Sequence, residues 1–297
     1  MPRKFFTSDP HIGHDGIAKW RGFESTAAHD EHLIWKWNSI VEPDDDVTVL
    51  GDVALGVIAE SLPKVARLNG RKRLFCGNHD RVSPAFWYEN DAKRARNVEK
   101  FAPLYRNVFS EVSTEIGSDM VRGYPVLLSH FPYEGDSTET ERFIEFRPKN
   151  RGQWLLHGHV HDRWKLRDRQ INVGVDAWLL APVSESELRN IIEAEIVASN
   201  CAPELKNFMR KHGFFDAWVL LIARDTEATP VARLASELVE EIYRSDGCPE
   251  DCGINSLIAD RIPRSADHFS EMAKALEANS KFSPVQSGRE SQTEVPA

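Results

Sequence analysis

The sequence predicts an α/β protein followed by a mainly helical C-terminal region, and two observations carry that expectation. Short apolar runs ending in polar residues recur through the first two thirds of the chain, with amphipathic stretches between the first three. Beyond about residue 200 this rhythm stops and helical periodicity replaces it. The runs are "KFFTSD" (4–9), "VTVLGD" (47–52), "RLFCGNHD" (73–80), "PVLLSH" (125–130) and "QWLLHGH" (153–159). Each reads as a buried strand with reactive side chains at its carboxyl end, where open sheets form their sites.

Between the strands, residues 29–40 place Leu33, Trp37 and Ile40 at helical steps, and residues 60–68 do the same with Leu62, Val65 and Leu68. Gly117, Ser118 and Asp119 separate two strand-like segments and predict a hairpin turn. "INVGVDAW" (171–178) reads as a further strand. Ser184 and Glu187 then form a capping box for a helix that continues through Leu188, Ile191 and Ile192. Farther on, Thr229 caps a helix with Pro230 in its first turn, Leu234, Leu238 and Ile242 on one face and Gly247 as its stop. Residues 265–278 form a second candidate helix, residues 216–225 fit strand or helix equally, and the polar end of the chain reads as a disordered tail. The expected division is a domain over 1–198, a helical region over 199–281 and a tail over 282–297.

With 297 residues, 41% hydrophobic and 28% charged, the chain has the composition of a globular protein. A formal net charge of −9 argues against coating nucleic acid through bulk charge and is compatible with a local basic groove. No apolar run approaches the roughly 18 residues of a membrane span, and "MPRKFFTSDPH" contains no signal-peptide core, so a cytoplasmic protein with no membrane partner is expected. Of four cysteines, Cys76 lies in an apolar run, Cys201 stands alone, and Cys248 and Cys252 have three residues between them rather than the two of zinc ribbons. A disulfide scaffold is therefore not expected.

Three of the 11 histidines, His157, His159 and His161, alternate within "LLHGHVHDRW" and share one side of an extended segment. On their own they are a polar strand face or part of a metal site. The other strand ends contribute Asp9 and His11 ("SDPHIGH"), Asp52 ("LGDVAL"), Asn78, His79 and Asp80 ("CGNHD") and His130 ("LLSHFP"). Carboxylate, amide and imidazole donors in this mixture suit Mn²⁺, Fe²⁺ or Zn²⁺ better than Ca²⁺ or Mg²⁺.

In this order, "DPH", "GD", "GNHD", "SHFP" and "GHVH" resemble the sequence blocks of the calcineurin-like metallophosphoesterase superfamily, and the texture around them resembles small bacterial and phage phosphoesterases of a predicted class. The resemblance covers roughly residues 5–180. It implies a four-layer α/β/β/α sandwich in which Asp9, His11 and His161 hold one divalent metal, Asn78, His130 and His159 hold a second, and Asp52 bridges. Two metal ions, Mn²⁺ foremost with Fe or Zn as alternatives, would activate a water for in-line attack on a phosphoester. It further implies that His79 steadies the transition state or protonates the leaving oxygen, with Asp80 fixing its orientation. His157 falls outside the pattern and is expected to pack beside the site, while His14 either curls toward the site or stays solvated.

One departure stands out: many members carry an arginine three or four residues after the G-D block, where this chain has Leu55 and Gly56. The loop "ERFIEFRPKNRGQ" offers replacements in Arg142, Arg147, Lys149 and Arg151, of which Arg147 and Arg151 are the candidate substrate contacts; a solvated basic loop is the rival reading. The expected activity is a phosphodiesterase acting on a phosphoester such as a nucleotide or nucleic acid, with a phosphomonoesterase or nucleotide pyrophosphatase as the alternative. A silent binding module working through the C-terminal region is the non-enzymatic rival, weakened because no motif residue is damaged. Trp35, Trp37 and Trp20 read as core rather than a stacking platform, "RWKLRDR" (163–169) as a hairpin exterior, and His212 and His268 as ordinary positions.

Overall fold

The computed structural model describes residues 2–87 and 91–199. The helices expected over 229–247 and 265–278, the segment 216–225, the tail, Cys201, Cys248, Cys252, His212 and His268 lie outside the described residues. The described chain is a mixed α/β structure with two five-stranded sheets and five α-helices.

The first sheet contains β1 (Lys4–Thr7), β2 (Asp46–Val49), β3 (Arg71–Phe75) and β4 (Glu111–Ser113), all parallel, with β10 (Val183–Ser184) antiparallel against β1. In the second sheet, β6 (Tyr124–Leu128), β7 (Trp154–His157) and β9 (Gln170–Asn172) run parallel, flanked by antiparallel edges β5 (Gly117–Val121) and β8 (Leu166–Arg167). Continuous burial of residues 47–49 in β2 and of 154–157 in β7 is what a parallel sheet covered on both faces produces. The sheets meet where Val175 N–H donates to Ser8 O at 3.0 Å and where Lys4 Nζ donates to Asp119 at 2.8 Å.

Helices α1 (Asp15–Trp20), α2 (Thr26–Asn38), α3 (Ile58–Val65), α4 (Asp91–Arg106) and α5 (Glu185–Ser199) complete the set. The helix expected at 29–40 starts earlier, at Thr26, because the Ser25 hydroxyl caps it by accepting Ala28 N–H at 3.1 Å. Leu33, Trp37, Leu62, Val65 and Tyr105 form one apolar cluster with Phe5, Val47, Val49 and Leu74 of the first sheet. Trp37 is therefore core as expected. Trp35 is not: its side of α2 faces water and it is 63% exposed. The capping box forms, with Ser184 Oγ accepting Glu187 N–H and the Glu187 carboxylate accepting Ser184 N–H at 3.0 Å. The chain divides into two compact units within α5, between Leu188 and Arg189.

Two turns differ from expectation. The hairpin turn is Arg122–Gly123, with φ of 47° and 98°, and residues 117–119 belong to β5. Positive φ at both central residues matches the twist of a two-residue hairpin, and Gly123 supplies it without a Cβ penalty. The strand expected over 171–178 ends at Asn172, whose Oδ1 accepts Gly174 N–H at 2.8 Å and turns Val175–Trp178 into a 3₁₀ helix. Among the described residues, no helix is long and apolar enough to cross a membrane.

Candidate metal centre

The ends of β1, β2, β3, β6 and β7 converge, and local backbone chemistry explains how. Asp9 N–H donates to Gly51 O at 3.1 Å and His11 N–H to Asp52 O at 3.0 Å, stitching the first loop to the second. His159 N–H donates to Asp9 Oδ2 at 3.0 Å, which brings in the loop after β7. Asp9, His11, Asp52, His159 and His161 all adopt φ between 50° and 70°. Left-handed backbone costs a side-chain-bearing residue about 1–2 kcal/mol, and such strain gathers where a fold holds functional groups in place. Gly158 has the opposite reason for its identity: a Cβ there would drive into Ser8 Oγ and Asp9 Oδ2.

Among the described residues, two groups of donor atoms lie mutually within 4.8 Å and could hold a metal ion: Asp9, His11 and His161, and Asp9, Asp52 and His130. All five side chains are buried. His11 Nε2 stands 3.7 Å from both Asp9 Oδ1 and Asp52 Oδ2, too far for a hydrogen bond, and both His11 nitrogens and Asp9 Oδ1 are buried without a hydrogen-bond partner among the described residues. Buried polar atoms left this way are costly, and a cation seated between His11 Nε2 and the Asp9 and Asp52 oxygens would satisfy those that face one another. The residues present therefore fit a borderline divalent cation. Asn78 joins through its Oδ1, 3.0 Å from His130 Nε2, which is also 3.4 Å from Asp52 Oδ2.

The electrostatics follow from this crowding. Burial pushes the Asp52 carboxyl up, to about 6, with the Asp9 charge adding to the rise. Asp9 is also pushed up by burial, but the imidazoles of His11, His130 and His161 outweigh this and hold it well below the carboxylate range. His130 and His161 sit above the ordinary imidazole range, because Asp52 and Asp9 for the former, and Asp176 and Asp9 for the latter, overcome the opposing effect of burial. The pocket attracts positive charge.

Outer partners fix the rings. His130 Nδ1 lies 2.8 Å from Leu50 O, a group that only accepts, so Nδ1 carries the proton and Nε2 faces Asp52 and Asn78. His161 Nδ1 likewise donates to Asp176 Oδ2 at 2.8 Å, the carboxylate–histidine arrangement that orients metal ligands. Asp176 in turn accepts from Arg21 Nε and Nη2 at 2.7 and 2.8 Å, and Arg21 also donates to Asp9 O and Pro10 O and contacts His29 Nε2 at 2.9 Å. Burial pushes Asp176 up, yet Arg21 and His161 hold it down at about 2. Arg21 and Asp176 were not legible as site residues, since nothing in their spacing marks them. Their signal was only polar identity near motif blocks.

Several expected roles change. Asp80 does not orient His79: its fully buried carboxylate accepts Asp52, Val53 and Gly77 N–H at 2.9, 3.2 and 2.8 Å and lies 3.5 Å from the Tyr105 hydroxyl, clamping the loops after β2 and β3. His79 is held by its backbone, its N–H donating to Asp52 Oδ1 at 2.8 Å, while its ring, 18% exposed, sits 3.9 Å from Asp52 Oδ2. Burial, then the neighbouring His130 and His161, bring its pKa down to about 3, so the ring is neutral near pH 7. His159 stands outside both close donor groups, its Nε2 3.1 Å from Asp136 Oδ2. Asp136 also collects Arg142, at 2.8 Å, and Arg147, at 3.3 Å; Arg147 additionally pairs with Glu141. Arg147, expected at the substrate, is thus an internal brace with a side chain 5% exposed, and Arg151 is exposed on the surface. His157 packs beside the site as expected, buried, with Nδ1 2.7 Å from Gly158 O. His14 curls inward: its Nδ1 caps α1 by accepting Ile17 N–H at 3.1 Å, and its ring centre lies 5.5 Å from that of His11.

No family model matches the chain. Over 206 residues, 65% of this chain and 98% of the relative, it is 39% identical to the Gene 66 protein of Mycobacterium phage D29. It is 36% identical to the Gene 66 protein of Mycobacterium phage L5 over 60% of this chain and 88% of the relative. An uncharacterized protein of Methanocaldococcus jannaschii is 28% identical over 65% of this chain and 93% of that protein. A solved structure of a protein of unknown function from Aquifex aeolicus matches 64% of this chain and all of that chain with a TM-score of 0.47 and 24% identity. From the extent and level of identity to the two phage proteins, the chain belongs to the family of the mycobacteriophage Gene 66 proteins.

Proposed function

We propose that the protein is a metal-dependent phosphoester hydrolase of the calcineurin-like metallophosphoesterase type, acting on diesters, and that its two sheets and flanking helices form the four-layer sandwich of that group. The observation that carries this reading is the buried convergence of Asp9, His11, Asp52, His130 and His161, with partnerless donors and ligand-bearing backbone held in left-handed conformations. Asp9, His11 and His161 would hold one ion, Asn78 and His130 the other, with His159 joining them by exchanging its Asp136 contact for the ion, and Asp52 both; Mn²⁺ is the first choice, Fe or Zn the alternatives. When bound, the pair would polarise phosphoryl oxygens and supply a water acidic enough to act near neutrality.

The chain's own groups do the rest. His79, neutral and the most exposed of the site imidazoles, reaches the phosphate as an N–H donor, which can bond to the leaving oxygen as its charge develops. Leu50 O and Asp176 hold His130 and His161 in the tautomer that turns Nε2 inward. Diesters are favoured over monoesters because Arg142 and Arg147 are engaged by Asp136 and Arg21 by Asp176. A dianionic monoester asks for more free positive charge than a monoanionic diester.

The test is hydrolysis of bis(p-nitrophenyl) phosphate against p-nitrophenyl phosphate by metal-stripped protein reloaded with Mn²⁺, with Asp52→Asn as the blank. The diester is expected to be hydrolysed faster and the blank to be inactive with reduced metal content. Preference for the monoester overturns the diester assignment, and inactivity on both by metal-loaded protein overturns the hydrolase.

A further inference from the structure

The chain is acidic overall, yet eight Lys and Arg against three Asp and Glu lie between Arg142 and Arg169. Two of the eight, Arg142 and Arg147, are taken by Asp136. Most of the others are on the surface: Lys149, Arg151, Arg163, Arg167 and Arg169 are exposed. Arg163 pairs with Glu139, whose side chain is 93% exposed, an arrangement worth little in water. Lys149, Arg151, Arg167 and Arg169 make no ion pair among the described residues.

These cations are placed, not merely numerous. The β8–β9 hairpin begins five residues after His161 and is fastened to it, because Asn172 Nδ2 donates to both His161 O and Trp164 O, at 2.7 and 2.9 Å. Arg167 lies over the Trp164 ring, 4.9 Å from its centre, and a Cβ on Gly135 would meet its Nη1 at 3.5 Å. Gly135 adjoins Asp136, the partner of His159. Arg169 Nη1 donates to Gly152 O at 2.8 Å, which sets it beside Arg151. β8 is the last strand of the second sheet; Arg167 stands opposite Gln170 and Arg169 O accepts Leu155 N–H, so these cations sit around the hairpin turn, toward the amino end of β7, while the start of the hairpin is tied to the loop that carries His161. Stacking on an indole and bonding to a carbonyl hold guanidiniums in place without neutralising them, which leaves N–H donors pre-oriented for phosphate.

We propose that Arg151, Arg167 and Arg169 form a phosphate-binding strip that leads a single-stranded nucleic acid to the metal centre. The proposal rests on the hydrolase reading and narrows its substrate to a polymer of phosphodiesters. A polymer gains from several phosphate contacts in a row, whereas a small nucleotide would meet only the innermost. Such binding carries no base specificity and weakens steeply with salt.

The experiment is fluorescence anisotropy of a labelled single-stranded DNA 20-mer with the full-length protein in EDTA, over a series of salt concentrations, so that binding is read without catalysis. The R151E/R167E/R169E variant is compared with wild type after a thermal melt establishes that it is folded. Three lost phosphate contacts are expected to lower the slope of log affinity against log salt by about 2, and affinity at low salt by more than tenfold. Equal binding by variant and wild type overturns the strip. Absence of binding by wild type that hydrolyses bis(p-nitrophenyl) phosphate also overturns it while leaving the hydrolase reading intact. Arginine-dependent binding by protein that hydrolyses no phosphoester supports the strip and overturns the hydrolase instead. Single Arg167→Lys, which keeps charge and loses the stack, is expected to retain the salt slope with weaker binding.

Discussion

A methyl group on Gly77 tests the geometry of the metal centre directly. Gly77 lies beneath Asp52 and His130: a Cβ there would stand 2.8 Å from His130 Nδ1 and 2.9 Å from the Asp52 carboxyl carbon, and closer still to Asp52 Oδ1. Ordinary contacts begin at 3.4 Å, so each side chain would have to retreat by at least about 0.5 Å. Metal–ligand distances tolerate about 0.2 Å, so a displacement of this size is more than the centre can absorb. Neither group can swing away freely, since Asp52 Oδ1 accepts His79 N–H at 2.8 Å and His130 Nδ1 is bound to Leu50 O. Gly77→Ala is therefore expected to weaken Mn²⁺ binding about 10- to 100-fold, equivalent to about 1.4–2.7 kcal/mol, while overpacking costs the fold about 1–3 kcal/mol. The control is Gly152→Ala, at φ 79° with open space around it, which carries backbone strain of about 1–2 kcal/mol and no effect on the metal. Calorimetric Mn²⁺ titration and chemical denaturation of both variants make the comparison. Gly77→Ala with wild-type Mn²⁺ affinity would refute the placement of Asp52 and His130.

Three further outcomes are expected. Asp176→Asn should lower Mn²⁺ affinity about 10- to 100-fold by loosening His161, and unchanged binding in a titration would remove Asp176 from the site. Saturating Mn²⁺ at about 100 times its Kd should stabilise the protein by about 2.7 kcal/mol, read as a rise in Tm that EDTA reverses; no rise would mean that the orphaned donors bind no ion. Asp119 joins the two sheets through Lys4 and Arg73: burial pushes its carboxyl up, but these partners outweigh it and hold the pKa below the ordinary value. Its contribution, about 1 kcal/mol or less for a partly screened pair, is present above the unfolded carboxylate pKa of about 3.9 and lost as pH falls through the lower folded value. The stability gap between wild type and Asp119→Asn should therefore be open at pH 6 and close at acid pH; a gap independent of pH would show that the ion pairs contribute nothing.

Burial and local chemistry explain why parts of this protein were readable in advance. The five strands are legible because each carries buried apolar residues, Phe5 and Phe6, Val47 and Val49, Leu74 and Phe75, Val126 and Leu128, Leu155 and Leu156, just before its polar end, and the Ser184–Glu187 box because both halves of a cap lie within four residues. The turn at Arg122–Gly123 was misplaced because three polar residues at 117–119 outweighed a single glycine in the pattern, although a two-residue turn needs only the right φ at two positions. Asp80 and Arg147 were assigned by adjacency to the motif or by charge. Their actual partners, backbone amides for one and Asp136 and Glu141 for the other, follow from loop paths that spacing does not encode.

The order of donor residues along the chain determined the chemical character of the site: carboxylates, imidazoles and an amide at the ends of successive strands carry it whatever the loops do. Tertiary structure alone decided how those donors are held. Asp176 and Arg21 are 155 residues apart, and Asp136 and His159 come from separate segments; each pair meets only because the fold brings those segments together. Which histidine nitrogen faces inward, which arginines are taken up in internal ion pairs, and why Gly77 and Gly158 admit no side chain are all consequences of that close approach, a property of the packed chain and not of any segment within it.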